Sequence, residues 1–545
     1  MNLKQECLLV LDNLTGGLGE VSSTAYDTAW VARLGELDPL MSRWAINWLR
    51  HNQLPDGSWG NQQPLYHHDR LICTLAAVIA LVTHGDPKDN MRIQRAIPSI
   101  SRFLNGLGLD LSGETIGFEM IVPTLFEELE KLGVMKVEDN PNLLKLYKMR
   151  QKKLSMLPNG MVNRFVPLSF STEMAGADNL HLLDIPNLQE DSGAIGQNPS
   201  ATAYFATHVR YGDPAALSYL REIGGFDGTP HLAPLEIFEQ GWILWNFQIA
   251  GLIDQEINEI IQPFLTNLEE SWDPKNGVGH TVAFSNKDGD DSALVYEVLR
   301  RFGRDVPISG LLYWEEKDYF RCFPIESNAS TSTNVHVLGA LRHAGYAPTH
   351  PSVEKVVRFL VNNLTEAGFW VDKWHISPYY VTGHLIITAA GYVEPLVKNA
   401  ISWILETRNA DGSWGYYFPT AEETAYCLQA LAVWRQNGYP VPGYIFQQGA
   451  EWLSKKCDPP YPPLWIGKCL YTPPLVIRSA ILSAISLARS ESTEPVAKSS
   501  GQGDPELELG RLAKNDISGE IAEQQSVRRQ SSWAFPTIWP GAIVI

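Results

Sequence analysis

Positive charge is in short supply: 43 Lys and Arg face 61 Asp and Glu, for a formal net charge of −18. A general nucleic-acid binder needs a basic footprint for the phosphate backbone, so that class is set aside. A diphosphate ligand stays open, because it needs only a few local cations or a metal. Cysteine is scarce too. The six thiols, Cys7, Cys73, Cys322, Cys427, Cys457 and Cys469, form no Cys-x-x-Cys pair. They read as reduced thiols of a reducing compartment, and the expected location is cytoplasmic. No apolar run reaches membrane-spanning length. Residues 1–14 carry Glu6 and Asp12 and lack an Arg/Ser-rich leader, so neither a secretory nor an organelle signal is expected.

Strand-like alternation is also rare. Helical periodicity is abundant, as in Arg70–Val82 and in Ser292–Gly303 with Gly303 as a stop. Gly, Pro, Asn and Asp turns separate the helices, so the class is all-α. A chain of 545 residues exceeds one compact core and predicts two or three domains. Aromatics are plentiful, with 17 Trp, 20 Tyr and 19 Phe. Most are core, but ring faces also suit a pocket that holds a hydrocarbon and a passing positive charge.

One short repeat stands out. Gln53-Leu-Pro-Asp-Gly-Ser-Trp-Gly60 recurs as Arg408-Asn-Ala-Asp-Gly-Ser-Trp-Gly415, with a weaker echo at Ser271–Gly277. Asp-Gly makes a tight turn and the Trp packs back on a helix end. Such turns predict stacked helix pairs closing into barrels. From about Ser490 the chain turns polar and reads as a disordered tail over 491–545, although Trp533–Ile545 is apolar again.

The sharpest local feature is Lys287-Asp-Gly-Asp-Asp-Ser-Ala-Leu294. Spacing alone leaves two readings. One is an acidic loop with a helix N-cap. The other is an acid for protonating an alkene: a carboxyl buried in an apolar cavity, beside other carboxylates, keeps its proton until substrate arrives.

Over roughly residues 15–490 the sequence resembles the class II diterpene cyclases of the copalyl diphosphate synthase type, especially fungal members. The acid motif of that family, Asp-x-Asp-Asp, is matched by Asp288, Asp290 and Asp291, which implies that Asp290 is the proton donor. Ser23-Thr-Ala-Tyr-Asp-Thr-Ala-Trp30, Leu54–Gly60, Asp69-Arg70, Pro199–Ala203 and Cys322-Phe323 resemble further family segments, in the same order. Ile116–Pro123 and Lys152–Leu154 resemble the segments that bind magnesium and diphosphate, which implies roles for Glu119 and Lys153 and a Mg²⁺ cofactor. Asn334 matches the asparagine that hydrogen-bonds the acid. Trp374, Tyr379 and Tyr380, in the family-like run Asp372–Tyr380, are expected to line the cavity.

Departures from the family pattern fall at the other end of the reaction. Plant relatives use a water-bridged histidine and asparagine as the base. Here the first segment reads Ser169-Phe-Ser-Thr-Glu173 and the second Pro230-His231, so His231 becomes the candidate base. The acidic run before Glu119 is reduced to Asp110 and Glu114. The class I motif Asp-Asp-x-x-Asp is not completed, because Leu294 holds its last position. A class I domain is therefore not expected. No run matches the triterpene-cyclase acid segment, no Cys follows Asp by two as in prenyltransferase zinc sites, and His67-His68 and His375/His384 lack a third metal ligand at useful spacing.

The resemblance implies two α-barrel domains, 20–220 and 221–490, the second completed by a helix from residues 1–19, with the cavity between them. It implies cyclisation of geranylgeranyl diphosphate to a copalyl-type diphosphate, with a separate class I terpene synthase as a possible consumer of the product. The alternatives are farnesyl diphosphate cyclised to a drimane-type diphosphate, or a non-catalytic helical-barrel scaffold.

Overall fold

The computed structural model describes residues 2–493 except 16, 18, 137–139 and 327. Of the tail expected at 491–545, residues 491–493 end the last helix, Pro474–Thr493, and the rest lies outside the described residues.

The chain builds two helical bodies with separate cores. One core gathers residues from Ala25 to Leu220, and the other gathers Cys7–Leu14 with Ile237–Ala488. In the second body six helices pack side by side in a closed ring: Glu236–Ile249, Gly289–Arg301, Thr331–His343, Pro378–Ala389, Ala421–Gln436 and Pro474–Thr493. Their sequences explain their place. Every residue of Pro378–Ala389 is buried, as befits a helix with neighbours on all sides. The outer helices are amphipathic instead; Pro351–Asn362 buries only Ser352, Val353, Val356 and Leu360. The N-terminal helix Leu3–Leu14 packs outside the ring, against Pro474–Thr493 and Glu236–Ile249. The first body repeats the plan with a smaller inner ring, which includes Ala25–Ala32, His67–His84, Phe118–Lys131 and Pro199–Tyr204; its last outer helix ends at Ile223.

The repeated turn is a staple between layers. The Trp414 indole donates to the carbonyl of Ile404, in the last turn of an outer helix, at 2.7 Å, while its amide donates to Thr424 on the next inner helix at 3.0 Å. Trp59 makes the same bonds to Leu49 and Thr74. Each indole reaches a carbonyl in the last turn of its helix, where the helical ladder runs out of donors. A third copy, unrecognised in the sequence, sits at Trp370, bonded to Leu360 and Thr382. The weak echo differs: Trp272 donates to Pro307 instead.

A β-hairpin joins the bodies. Trp465–Ile466 pairs antiparallel with Leu470–Tyr471, and the tip, Gly467-Lys468-Cys469, is buried in the first body. There the Lys468 ammonium donates to Glu173 (2.5 Å), Asn198 (2.8 Å) and Ser200 (2.8 Å) and lies 4.9 Å from the Phe170 ring centre. Burial pulls its pKa below the usual lysine value, and the Glu173 carboxylate opposes that pull. Tyr26 also donates to Glu173, at 2.9 Å. Gly467 is required by close approach, since a Cβ there would lie 1.8 Å from His231 Nε2.

Two stability predictions follow from these joints. Trp414→Phe leaves the Ile404 carbonyl only the long bond from the Thr407 hydroxyl at 3.4 Å and should cost about 0.5–1.5 kcal/mol in chemical denaturation. Lys468→Met strands buried carboxylates and should cost about 3–5 kcal/mol, more than the tryptophan change. A Lys468→Met protein as stable as wild type would contradict the role of the hairpin.

Candidate active site

The acid motif starts as a cap and ends as a cluster. Asp288, extended at φ −144° and ψ 161°, caps helix Gly289–Arg301 and accepts the Asp291 amide at 2.8 Å. Gly289 donates to the Cys322 carbonyl at 2.8 Å, and a Cβ on it would meet the Arg321 carbonyl oxygen at 2.3 Å. Only glycine lets the motif lie this close to the 321–322 segment. Burial lifts Asp288 to about 7, against the amide bonds it accepts and with help from the Asp290 charge. Burial, then Asp288 and Asp290, lift Asp291 well above the usual carboxyl range. Asp288 and Asp291 are buried, but the Asp290 side chain keeps 20% of its surface open. One aspartate of the motif thus caps the helix, and the middle one is the more open, beside two carboxyls whose pKa values are raised.

Asn334 does not touch the acid. Its amide donates to the carbonyls of Phe320 and Ser330, both at 2.9 Å, and its oxygen accepts the Phe320 amide at 2.9 Å. These bonds spend its polar atoms on the 320–322 segment that lies against Gly289. The acid's partner is His336, two residues on, with Nδ1 2.8 Å from Asp290 Oδ1. Burial works against a charged His336, but the Asp290 charge and hydrogen bond outweigh it and raise its pKa. An imidazolium there stabilises the carboxylate that remains once a proton has left. The sequence carries one faint signal for His336: a lone histidine in the buried half of an apolar helix.

Aromatic rings crowd the same end of the barrel. Trp242 lies 5.1 Å from His336 and stacks on His384 at 4.9 Å; Tyr380 lies 5.1 Å from Trp465. Tyr380 thus joins the acid-side cluster. Tyr379 does not, because adjacent helical residues point about 100° apart. It stacks at 4.6 Å on Trp403 of the outer helix Lys398–Glu406, as ordinary inter-layer packing. Trp374 is half-buried in the preceding loop, 6.0 Å from the Phe323 ring, with its indole N–H unpartnered. Glu422, sealed from solvent, accepts from Trp465 (2.8 Å) and Tyr426 (2.9 Å) and lies 3.2 Å from His375 Nε2.

In the first body Glu119, near the start of helix Phe118–Lys131, pairs with Lys153 at 2.5 Å. The adjoining segment is tied to the hairpin, because the Ile116 amide donates to the Gly467 carbonyl at 2.9 Å. Burial and the Glu119 charge raise Glu114 to about 7, although part of its surface is reached by solvent. Two crowded carboxylates suit a hard divalent cation such as Mg²⁺. Asp110 is already spent: its oxygens take the His67 and His68 amides and both Nδ1 atoms.

His231 is not placed to act as a base. It is sealed in the seam between the bodies, with Nδ1 2.9 Å from Asp27 and Nε2 3.3 Å from the Lys468 amide nitrogen. Burial opposes its protonation, but Asp27 lifts it to about 9, so it already holds a proton at neutral pH. Asp27 also accepts the Ser200 amide at 3.2 Å. The segments 23–30 and 199–203 therefore serve the joint between the bodies.

Comparison with known proteins places this arrangement. The squalene-hopene cyclase C-terminal domain family matches residues 325–445. A type B diterpene cyclase of Mycobacterium tuberculosis (strain ATCC 25618 / H37Rv) is 44% identical over 480 residues, covering 86% of this chain and 96% of its own length. An ent-copalyl diphosphate synthase of Streptomyces sp. (strain KO-3988) is 30% identical over 496 residues, covering 86% and 92%. The solved ent-copalyl diphosphate synthase from Streptomyces platensis superposes with a TM-score of 0.73 at 27% identity, over 90% of this chain and 100% of that one. Near-complete overlap with such relatives leads to one assignment: the chain belongs to the class II diterpene cyclases of the copalyl diphosphate synthase type and is an enzyme of the class II terpene cyclase kind.

Proposed function

We propose that the enzyme cyclises geranylgeranyl diphosphate to a bicyclic, copalyl-type diphosphate and releases it with the diphosphate intact. The observation that carries this reading is Asp290: the one carboxyl of its motif open to space, held by His336, above a bed of aromatic rings. The diterpene scale of the substrate is supported by the names of the relatives.

Asp290 transfers its proton to the terminal double bond and leaves a tertiary cation. Neighbouring double bonds attack in turn and close two rings. Trp242, Tyr380 and Trp465 offer ring faces that stabilise the charge without bonding to it. Asp288 and Asp291, protonated near neutrality, keep Asp290 from sharing its site with a second anion. Lys153 would bind the diphosphate end, and Glu119 and Glu114 would hold a Mg²⁺ that offsets phosphate charge there. The released product keeps its diphosphate, which a separate class I synthase would ionise.

Purified enzyme incubated with Mg²⁺ and either geranylgeranyl or farnesyl diphosphate, then phosphatase, should yield a bicyclic C20 alcohol from the first. A drimane-type alcohol from farnesyl diphosphate alone would replace the C20 assignment. Asp290→Asn should lower turnover by at least about 10²–10⁴-fold while the protein stays folded; substantial product would refute the acid. Because burial raises the Asp288 carboxyl to about 7, it holds its proton below that pH and loses it above, so kcat should fall as pH rises through neutrality, with an apparent pKa that belongs to the cluster. A profile flat from about pH 6 to about pH 9 would contradict this.

A further inference from the structure

A cyclisation begun by an acid must end at a base. The basic groups near the acid differ in what they are already bonded to. His336 also leaves Nε2 without a partner among the described residues, but Asp290 holds its Nδ1 and, against the pull of burial, favours the protonated ring. His375 accepts the Ser377 amide on Nδ1 at 3.0 Å and faces Glu422 through Nε2, so both its nitrogens are committed. His231 is locked in the seam. His384 is different: it is 1% exposed, and among the described residues neither ring nitrogen has a hydrogen-bond partner. A buried imidazole with two unused polar atoms is costly unless something that visits the site engages them.

Its position is the second observation. His384 lies one helical turn below Tyr380, stacked on Trp242 at 4.9 Å and 5.8 Å from the His336 ring. Tyr380 and Tyr426 meet its ring at 4.7 and 5.0 Å. The same rings that would steady a cation thus surround one lone pair. Burial, then the charges of His336 and His375, holds His384 well below the usual histidine value, so it rests neutral and takes no proton from the acid before reaction.

We propose that His384 is the catalytic base that ends the cyclisation. This rests on the cyclase reading above. A C–H bond beside the final cationic carbon breaks, its electron pair becomes the new C=C bond, and the proton passes to an imidazole nitrogen. The proton that Asp290 gave is thereby balanced by the one His384 takes, and no further reactant is needed. A carbocation is acidic enough to protonate even a histidine this reluctant.

The test compares product distributions from geranylgeranyl diphosphate for wild type, His384→Gln, His384→Phe and Glu422→Gln, each checked for folding by thermal melt. Glu422 is the control because its Oε2 is also buried without a partner. Both His384 variants should keep consuming substrate within about tenfold of wild type, while at least about half of the product moves to a different double-bond isomer or a hydroxylated bicycle. An unchanged profile in either folded His384 variant overturns the proposal, as does a shift confined to Glu422→Gln. Loss of all consumption in both folded variants would also overturn it, by placing His384 with the acid. Wild-type inactivity on both diphosphates overturns the cyclase reading, and this proposal with it.

Discussion

Most of what is functional here hangs on one buried ammonium. Lys468 stands at the tip of a hairpin from the second barrel, inside the first, where Glu173, Asn198 and Ser200 receive it. The same hairpin carries Trp465 into the aromatic cluster and, through the Gly467 carbonyl, fixes the segment leading to Glu119. A charge so buried is tolerated only when its partners are complete. The seam is therefore specific: its groups must meet in one arrangement, and that arrangement sets the two ends of the substrate site relative to each other.

The acid follows a related logic with the sign reversed. Burial is used at Asp288 and Asp291 to favour neutral carboxyls, while His336 is set within hydrogen-bond reach of Asp290. Only the N-cap bond that Asp288 accepts from the Asp291 amide adds to stability here. Three carboxyls at a helix start, with a histidine directed at them, cost folding energy that the apolar rings around them offset.

Much of this was legible in the sequence. The class, the staple turns and the acid motif each rest on local chemistry: helical period, Asp-Gly turns, clustered carboxylates. What escaped depends on contacts between residues far apart in the chain. Nothing near Lys468 announces that it will meet Glu173, 295 positions away. His231 drew notice because a base was wanted at its place in the family pattern, but whether an imidazole is free is decided by Asp27 and the hairpin. Asn334 and His336 differ by two positions on one helix, and only the fold decides which faces the acid. Tyr379 and Tyr380 separate for the same reason. Trp370 went unrecognised as a staple because its turn lacks the Asp-Gly-Ser that marks the other two.

The closed ring of inner helices has an electrostatic consequence. Asp290, His336, Tyr380 and Glu422 all lie in the first two turns of their helices, so these helices open toward the same chamber with their N-termini. Each terminus contributes a partial positive charge. Together they form a positive field at the chamber, and Trp242, Tyr380 and Trp465 set electron-rich ring faces beside it. The closed ring thus gives one chamber two opposite kinds of lining, helix termini that favour an anion and ring faces that favour a cation.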